Sequence, residues 1–353
     1  MNDIKRFEMT GVVPRPDWWL VRPEEIEAQC KKITRGECIQ AVLTPMGFPV
    51  YRAVYNDFVD AGNTVNWISA VGTRTPELFS NAEKQTVMIC GGIHGCEVEG
   101  VILVLNLISL LENGVDLRGK ERPELLELVS NYRLVLFPCV NMDGRAISPD
   151  HRINADIDEC RRAGGGWWND GTIIIWPQMK EHFPLPLDEV GYPGGYQNSE
   201  GYNIQLDGAP GNLKTAEAAA VLRAAEEKRV DLFINLHSQP GSPKTFVTSP
   251  SICSYPSQIA VTLELAKLCA DALSAGGYDT GTELHTSPRI DINNAVQFCS
   301  GAAAATVEFA AREAGSFDSV LEKAYIILET MLAYGLKKPF CDRKNWLVNN
   351  KVN

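Results

Sequence analysis

Val87-Met88-Ile89-Cys90-Gly91-Gly92-Ile93-His94-Gly95-Cys96-Glu97 is the stretch on which the reading of this chain turns. Its first four residues are apolar and form a short buried strand, and from Val98 through Leu111 apolar residues recur at helical spacing. His94 and Glu97 therefore fall at a strand-to-helix turn. Residues three apart on a helical turn project to one side, so an imidazole nitrogen and a carboxylate oxygen can converge on a metal ion there. The best candidate for a further ligand is His237, which ends a second apolar run, Asp231-Leu232-Phe233-Ile234-Asn235-Leu236, and precedes the loop formers Ser238, Gln239, Pro240 and Gly241. Two histidines and one glutamate, with a fourth position open to water, make the donor set of a hydrolytic zinc site. An HxxE pair alone arises by chance, and a histidine closing a strand is often a hydrogen-bonded core residue. Context adds weight: two of only five histidines end strand-like runs ahead of turn formers, where ligand sites gather in open α/β sheets.

Outward from this turn, strand-length and helix-length apolar segments alternate. The pattern predicts a strand near Val65 to Val71, the strand before His94, a helix to about Leu111 and a strand over 133–138. It continues with a helix over 214–228, the strand ending at His237, a helix near 258–275, a strand over 303–309 and a final helix over 317–336. This is an α/β pattern: a mixed, largely parallel twisted sheet flanked by helices on both faces. Residues 1–50, with Trp18-Trp19 and several prolines, read as an N-terminal extension packed on the main body, Trp19 being its anchor. Residues 51–340 form the main domain and 341–353 a C-terminal tail. Within the domain, 141–212 reads as a long irregular loop insertion rich in Gly, Pro, Trp and Asp, and such segments usually build function.

The net charge of −11 argues against a nucleic-acid partner, which calls for a basic face. Ten cysteines are scattered, and Cys90, Cys139 and Cys269 lie in apolar runs where a reduced thiol acts as a small hydrophobe. The first seven residues lack the apolar stretch of a secretory signal, and no segment approaches a membrane span. The expectation is a cytoplasmic protein without a membrane partner; the sequence leaves its oligomeric state open.

The ordered set His94-x-x-Glu97, Pro138-x-x-Asn141-Met142-Asp143-Gly144, Asn235-Leu236-His237-Ser238 and Thr306-Val307-Glu308-Phe309 resembles the zinc carboxypeptidase family over roughly residues 60 to 336. Four motifs in order are far more specific than any one. The resemblance implies a single zinc ion held by His94, Glu97 and His237, with Glu308 as general base. A physical argument supports Glu308 as well. It ends the small apolar run 302–307, and a carboxylate only partly solvated has its pKa raised toward the range useful to a base. The resemblance also implies an arginine, downstream of the Asn-x-Asp-Gly turn, that steadies the oxyanion. Arg145, Arg152, Arg161 and Arg162 are the candidates, and Arg161 in Glu159-Cys160-Arg161-Arg162 best matches the family's local pattern.

Departures from the family bear on substrate. Where it carries an Asn-Arg pair for a terminal carboxylate, this chain reads Asn203-Ile204-Gln205-Leu206-Asp207, and leucine cannot make arginine's two-pronged contact. Asn203, Gln205 and Arg162 are the substrate-binding candidates, with Arg289 as a further substitute; Asp207 would repel a carboxylate and suit an amino group. The family's loop tyrosine is missing from His285-Thr286-Ser287, with Tyr278 upstream. Trp167, Trp168, Tyr192 and Tyr196 read as anchors of the long segment in preference to substrate contacts. The resulting expectation is a zinc-dependent hydrolase of the carboxypeptidase type, cleaving an amide bond in a peptide or a small acylated amino compound. A deacylase of N-acyl amino acids, similar to aspartoacylase and succinylglutamate desuccinylase, is the alternative within enzymes, and an inactive binding module on the same fold is the alternative outside them.

Overall fold

The computed structural model describes residues 6–57, 65–80, 83–175, 178, 184–209, 211–248, 250–281, 288, 290–312 and 316–351. Strands run over β1 (Glu37–Leu43), β2 (Pro49–Tyr55), β3 (Thr86–Cys90), β4 (Arg133–Phe137), β5 (Trp167–Trp168), β6 (Val190–Tyr192), β7 (Leu232–Gln239), β8 (Phe246–Val247) and β9 (Ala303–Ala310). Helices are α1 (Pro23–Cys30), α2 (Trp67–Gly72), α3 (Glu99–Asn113), α4 (Pro123–Ser130), α5 (Met142–Ile147), α6 (Ile157–Gly165), α7 (Ala216–Glu227), α8 (Pro256–Ala275), α9 (Ile292–Ser300), α10 (Phe317–Gly335) and α11 (Trp346–Asn349).

Seven strands form one sheet in the order β1-β2-β4-β3-β7-β9-β8. Its centre, β4-β3-β7-β9, is parallel, and β2 and β8 join it antiparallel. The mixed, largely parallel sheet expected from the alternation is thus the observed one. Every residue of β3 and β4 is buried, as strands must be when helices cover both faces of a sheet. β3 pairs with β4 on one side and β7 on the other, which makes its carboxyl end the point where strand order reverses. Crevices for ligands open at such points.

Three parts of the chain are arranged differently from expectation. Residues 65–71 do not form a strand; they lead into α2, because Asn66 caps the helix by accepting the Ser69 N–H at 2.8 Å and Trp67 and Ala70, three apart, are its buried face. Residues 37–43, inside the stretch read as an extension, are an edge strand of the sheet, while Trp19 is fully buried, donating from Nε1 to the Asp150 carbonyl at 3.0 Å and meeting Phe317 edge-on. The segment 141–212 is not structureless: α5, α6 and the β5-β6 pair lie within it. At the other end, Trp346 packs on Trp67 with ring centroids 4.7 Å apart, so residues after 340 join a second apolar cluster. No described helix is long and apolar enough to cross a membrane.

Candidate active site

β3 ends at Cys90, and the turn after it is packed too closely for side chains at two of its glycines. Gly92 has φ +57°, and a Cβ there would lie 2.6 Å from Cys139 Sγ; at Gly95 a Cβ would lie 2.1 Å from the Arg145 backbone nitrogen. The turn is laced to its neighbours by Asn141 N–H donating to Gly92 O at 2.8 Å and Gly95 N–H donating to Gly195 O at 2.7 Å. His94 and Glu97 are therefore carried on a rigid support. His237 lies near the end of β7, the neighbouring strand.

The fold brings these three side chains together. One ligand atom from each lies within 4.8 Å of the others, and all three residues are buried. His94 Nδ1 is 3.1 Å from one Glu97 oxygen, His237 Nδ1 is 2.8 Å from the other, and the two Nδ1 atoms are 3.2 Å apart. Ligand atoms at the corners of a tetrahedral zinc shell stand roughly 3.3 Å apart, given bond lengths of about 2.0–2.1 Å. The outer ring nitrogens fix the tautomers. His94 Nε2 faces Asn203 Oδ1 at 3.1 Å, an atom that also accepts the Gln205 N–H and so is the amide oxygen. His237 Nε2 faces Gln205 Oε1 at 3.1 Å, and the orientation of that amide is set because its nitrogen donates to the Asp291 carboxylate at 3.2 Å. Both Nε2 atoms must donate, which turns two Nδ1 lone pairs toward each other and toward a carboxylate. Buried together, these groups repel unless a cation lies between them, so the donor set fits a zinc ion.

Asn203 and Gln205, expected among the substrate contacts, have their amide oxygens committed to the imidazoles, the arrangement that orients metal-bound histidines. The supporting layer runs further than the sequence reading went. Asn235 donates to Gln205 Oε1 at 2.8 Å, Asp291 caps α9 as well as holding Gln205, and the Ser238 N–H donates to Glu97 at 3.2 Å. Asn235 carried a legible signal: two residues before His237 in a strand, a polar side chain shares its face.

Above the donor set opens a cavity of about 520 Å³ whose walls include Glu308, Thr306, Tyr196, Arg161, Ile175 and the 238–241 turn. Glu308 is paired directly with His237 in the parallel β7-β9 register, so the two stand side by side on one face of the sheet. Arg161, on α6, reaches the wall half exposed and bound to Asp158 at 2.9 Å. The other arginines serve structure. Arg145 is buried against the carbonyls of Gly95, Ser148 and Pro149, and Arg152 is buried behind Ser238. Arg162 lies over Trp167 at 5.7 Å and is not among the cavity-wall residues. Leu206 is buried, and Asp207 is occupied by the backbone N–H groups of Lys214 and Thr215. Of the four aromatic anchors, Trp167 stacks on Tyr192, whose hydroxyl donates to Ile147 O, and Trp168 packs near Ile174 and Leu185; Tyr196 alone of the four reaches the cavity wall. Its phenol is pushed well above the usual range by burial and by Glu97. His285 and Arg289 lie outside the described residues.

A buried His-Glu-His donor set with a carboxylate on the adjacent strand, at the carboxyl edge of a parallel sheet, defines a metal-dependent hydrolase. A family model for zinc carboxypeptidases matches residues 61–322, and the chain belongs to this family of zinc metallopeptidases. The fold is similar to that of a metallo-carboxypeptidase from Burkholderia cenocepacia, at 13% identity and TM-score 0.57 over 88% of this chain and 68% of that one. It is also similar to carboxypeptidase A from Helicoverpa armigera (14%, TM-score 0.54, 92% and 76%) and to thrombin activatable fibrinolysis inhibitor (16%, 0.55, 90% and 74%). No curated protein matches in sequence.

Proposed function

We propose that this member of the family hydrolyses an amide bond near the end of a peptide or in a small acylated amino compound, with Glu308 as general base. The observation that carries this reading is the pairing of Glu308 with His237, which sets a carboxylate beside the donor set on the wall of one cavity. His94, Glu97 and His237 would hold one zinc ion, which supplies Lewis acidity that lowers the pKa of a water and polarises the scissile carbonyl. Glu308 accepts the proton from the attacking water and returns it to the departing amine. Arg161 lends positive charge to the developing oxyanion from the cavity wall.

The Glu308→Gln variant tests the role of the base. Its kcat is expected to fall by about 10²–10⁴-fold, with bound zinc unchanged; undiminished hydrolysis of every accepted substrate removes Glu308 from this role. Leu206, a buried leucine next to Gln205 in the chain that cannot supply arginine's charge, favours a second reading as a deacylase of N-acyl amino acids. Release of C-terminal residues from peptides, measured against hydrolysis of N-acyl amino acids, separates the two. The ten free thiols, most of them buried, suit residence in a reducing compartment such as the cytoplasm.

A further inference from the structure

Tyr196 is held by its ring and its main chain. Its ring packs edge-on against His94, with centroids 4.5 Å apart and planes at 89°, and it rests on Gly164, where a Cβ would lie 2.3 Å from Tyr196 Cε2. Its N–H donates to Gly164 O at 3.0 Å, and its carbonyl accepts from Asn141 Nδ2 at 3.3 Å. The preceding carbonyl, Gly195 O, accepts the Gly95 N–H, so the segment bearing Tyr196 is tied to the same turn that carries His94 and Glu97. Among the described residues the Tyr196 hydroxyl makes no hydrogen bond, whereas the hydroxyl of Tyr192, four residues earlier, donates to Ile147 O at 2.9 Å. A phenol whose O–H is unspent among the described residues thus borders the cavity that holds the donor set and Glu308.

We propose that Tyr196 is a catalytic residue whose hydroxyl donates a hydrogen bond to the oxygen that becomes negative when the scissile carbonyl is attacked. The inference rests on the amide-hydrolase reading above. No bond to hydrogen is broken in this step: the phenol remains O–H, and only the strength of its hydrogen bond grows as charge moves onto the carbonyl oxygen. Donors that stabilise an oxyanion act through prior placement, because a group already in position needs no reorganisation as the charge appears. Arg161 is half exposed, engaged with Asp158 and carried on a long side chain, so ordering it costs rotamer entropy. Tyr196 has two side-chain torsions, and its ring is in contact with His94 and Gly164. The clamped donor serves the oxyanion more directly than the mobile cation.

The test uses the full-length, zinc-loaded protein and its Tyr196→Phe variant, which keeps the ring and removes one oxygen. Methylphosphonate, a small tetrahedral oxyanion, is titrated into both by calorimetry, with Tyr192→Phe as a control that loses a hydroxyl outside the cavity. The expected result is affinity at least about tenfold weaker in Tyr196→Phe and unchanged in Tyr192→Phe, with equal zinc content and equal thermal midpoint for Tyr196→Phe and the parent, since an oxyanion donor is worth about 10²–10³ in rate and part of that in analogue binding. Equal affinity in parent and Tyr196→Phe, or no binding to either, overturns the assignment. With substrate, kcat falls by about 10²–10³-fold and KM stays within about twofold; an unchanged kcat also overturns it. If the parent hydrolyses neither peptides nor N-acyl amino acids, the hydrolase reading itself falls, and the phosphonate titration still decides separately whether Tyr196 reaches the oxyanion.

Discussion

Each imidazole of the donor set owes its tautomer to one amide oxygen; the Gln205 amide is held in turn by Asp291 and Asn235, and the Asn203 oxygen accepts the Gln205 N–H. Replacing Gln205 by Leu strips His237 of its acceptor and leaves two buried polar groups unpaired. Zinc affinity is expected to fall about 10–100-fold, measured by competition with a chromophoric chelator; an unaltered affinity would mean that the outer amides are ornamental. His94→Ala should lose zinc outright by metal analysis. Away from the site, Glu217 in the first turn of α7 is buried, and one of its carboxyl oxygens makes no hydrogen bond among the described residues. Burial pushes its pKa up to about 7, against the hydrogen bond from Asn198. Between its ordinary value near 4.5 and about 7 the unfolded chain gives up this proton while the folded chain keeps it, so stability drops as pH rises through that window and levels off above it. Glu217→Gln is expected to restore up to about 3 kcal/mol at pH 8 and nothing at pH 4, read from urea unfolding at both pH values.

Among the elements, the most legible were those whose pattern is local. The strand into Gly91, the helix after Glu97 and the strands ending at His237 and Glu308 carry their periodicity within a few residues. Residues 65–71 do not: Val65, Trp67 and Val71 alternate well enough to pass for a strand, and the deciding feature was the cap at Asn66. The segment 141–212 was opaque for another reason. Its order comes from contacts far apart in sequence, such as the Asn141 side chain donating to the carbonyls of Gly195, Tyr196 and Gln197, and these leave no period to read. Asn203 and Gln205 were found in the sequence, but the groups that hold the Gln205 amide, Asp291 and Asn235, come from distant elements. Two substitutions probe the supports. Gly95→Ala places a methyl against the Arg145 backbone and should cost about 3 kcal/mol or more while weakening zinc retention; retained stability would show that the 141–145 segment yields easily. Trp19→Ala opens a large void beneath the N-terminal segment and should cost about 3–5 kcal/mol, measured by urea unfolding.

In the whole molecule, the metal site is closed by residues from 94 to 237, so whatever fills it ties the β3-α3 turn to β7 across the sheet. An ion that binds the folded chain and not the unfolded one adds about 4 kcal/mol of stability at a thousand times its dissociation constant. Stripping the protein with a chelator is expected to lower the thermal midpoint, zinc to restore it, and the His94→Ala variant to respond to neither. An identical midpoint with and without metal would show that no ion binds the folded chain in preference to the unfolded one, and the metal site would fall.

The direct pairing of Glu308 with His237 has a consequence for how such a chain can diversify. Their spacing is one rung of a main-chain ladder that extends from Leu232 and Ala303 to Gln239 and Ala310, and no loop length enters into it. The turn at 240–245 lies beyond the end of that ladder and can be lengthened, trimmed or recomposed without moving the rung. Selection for a new diet can therefore reshape that part of the rim while the spacing of base and ligand is inherited with the sheet.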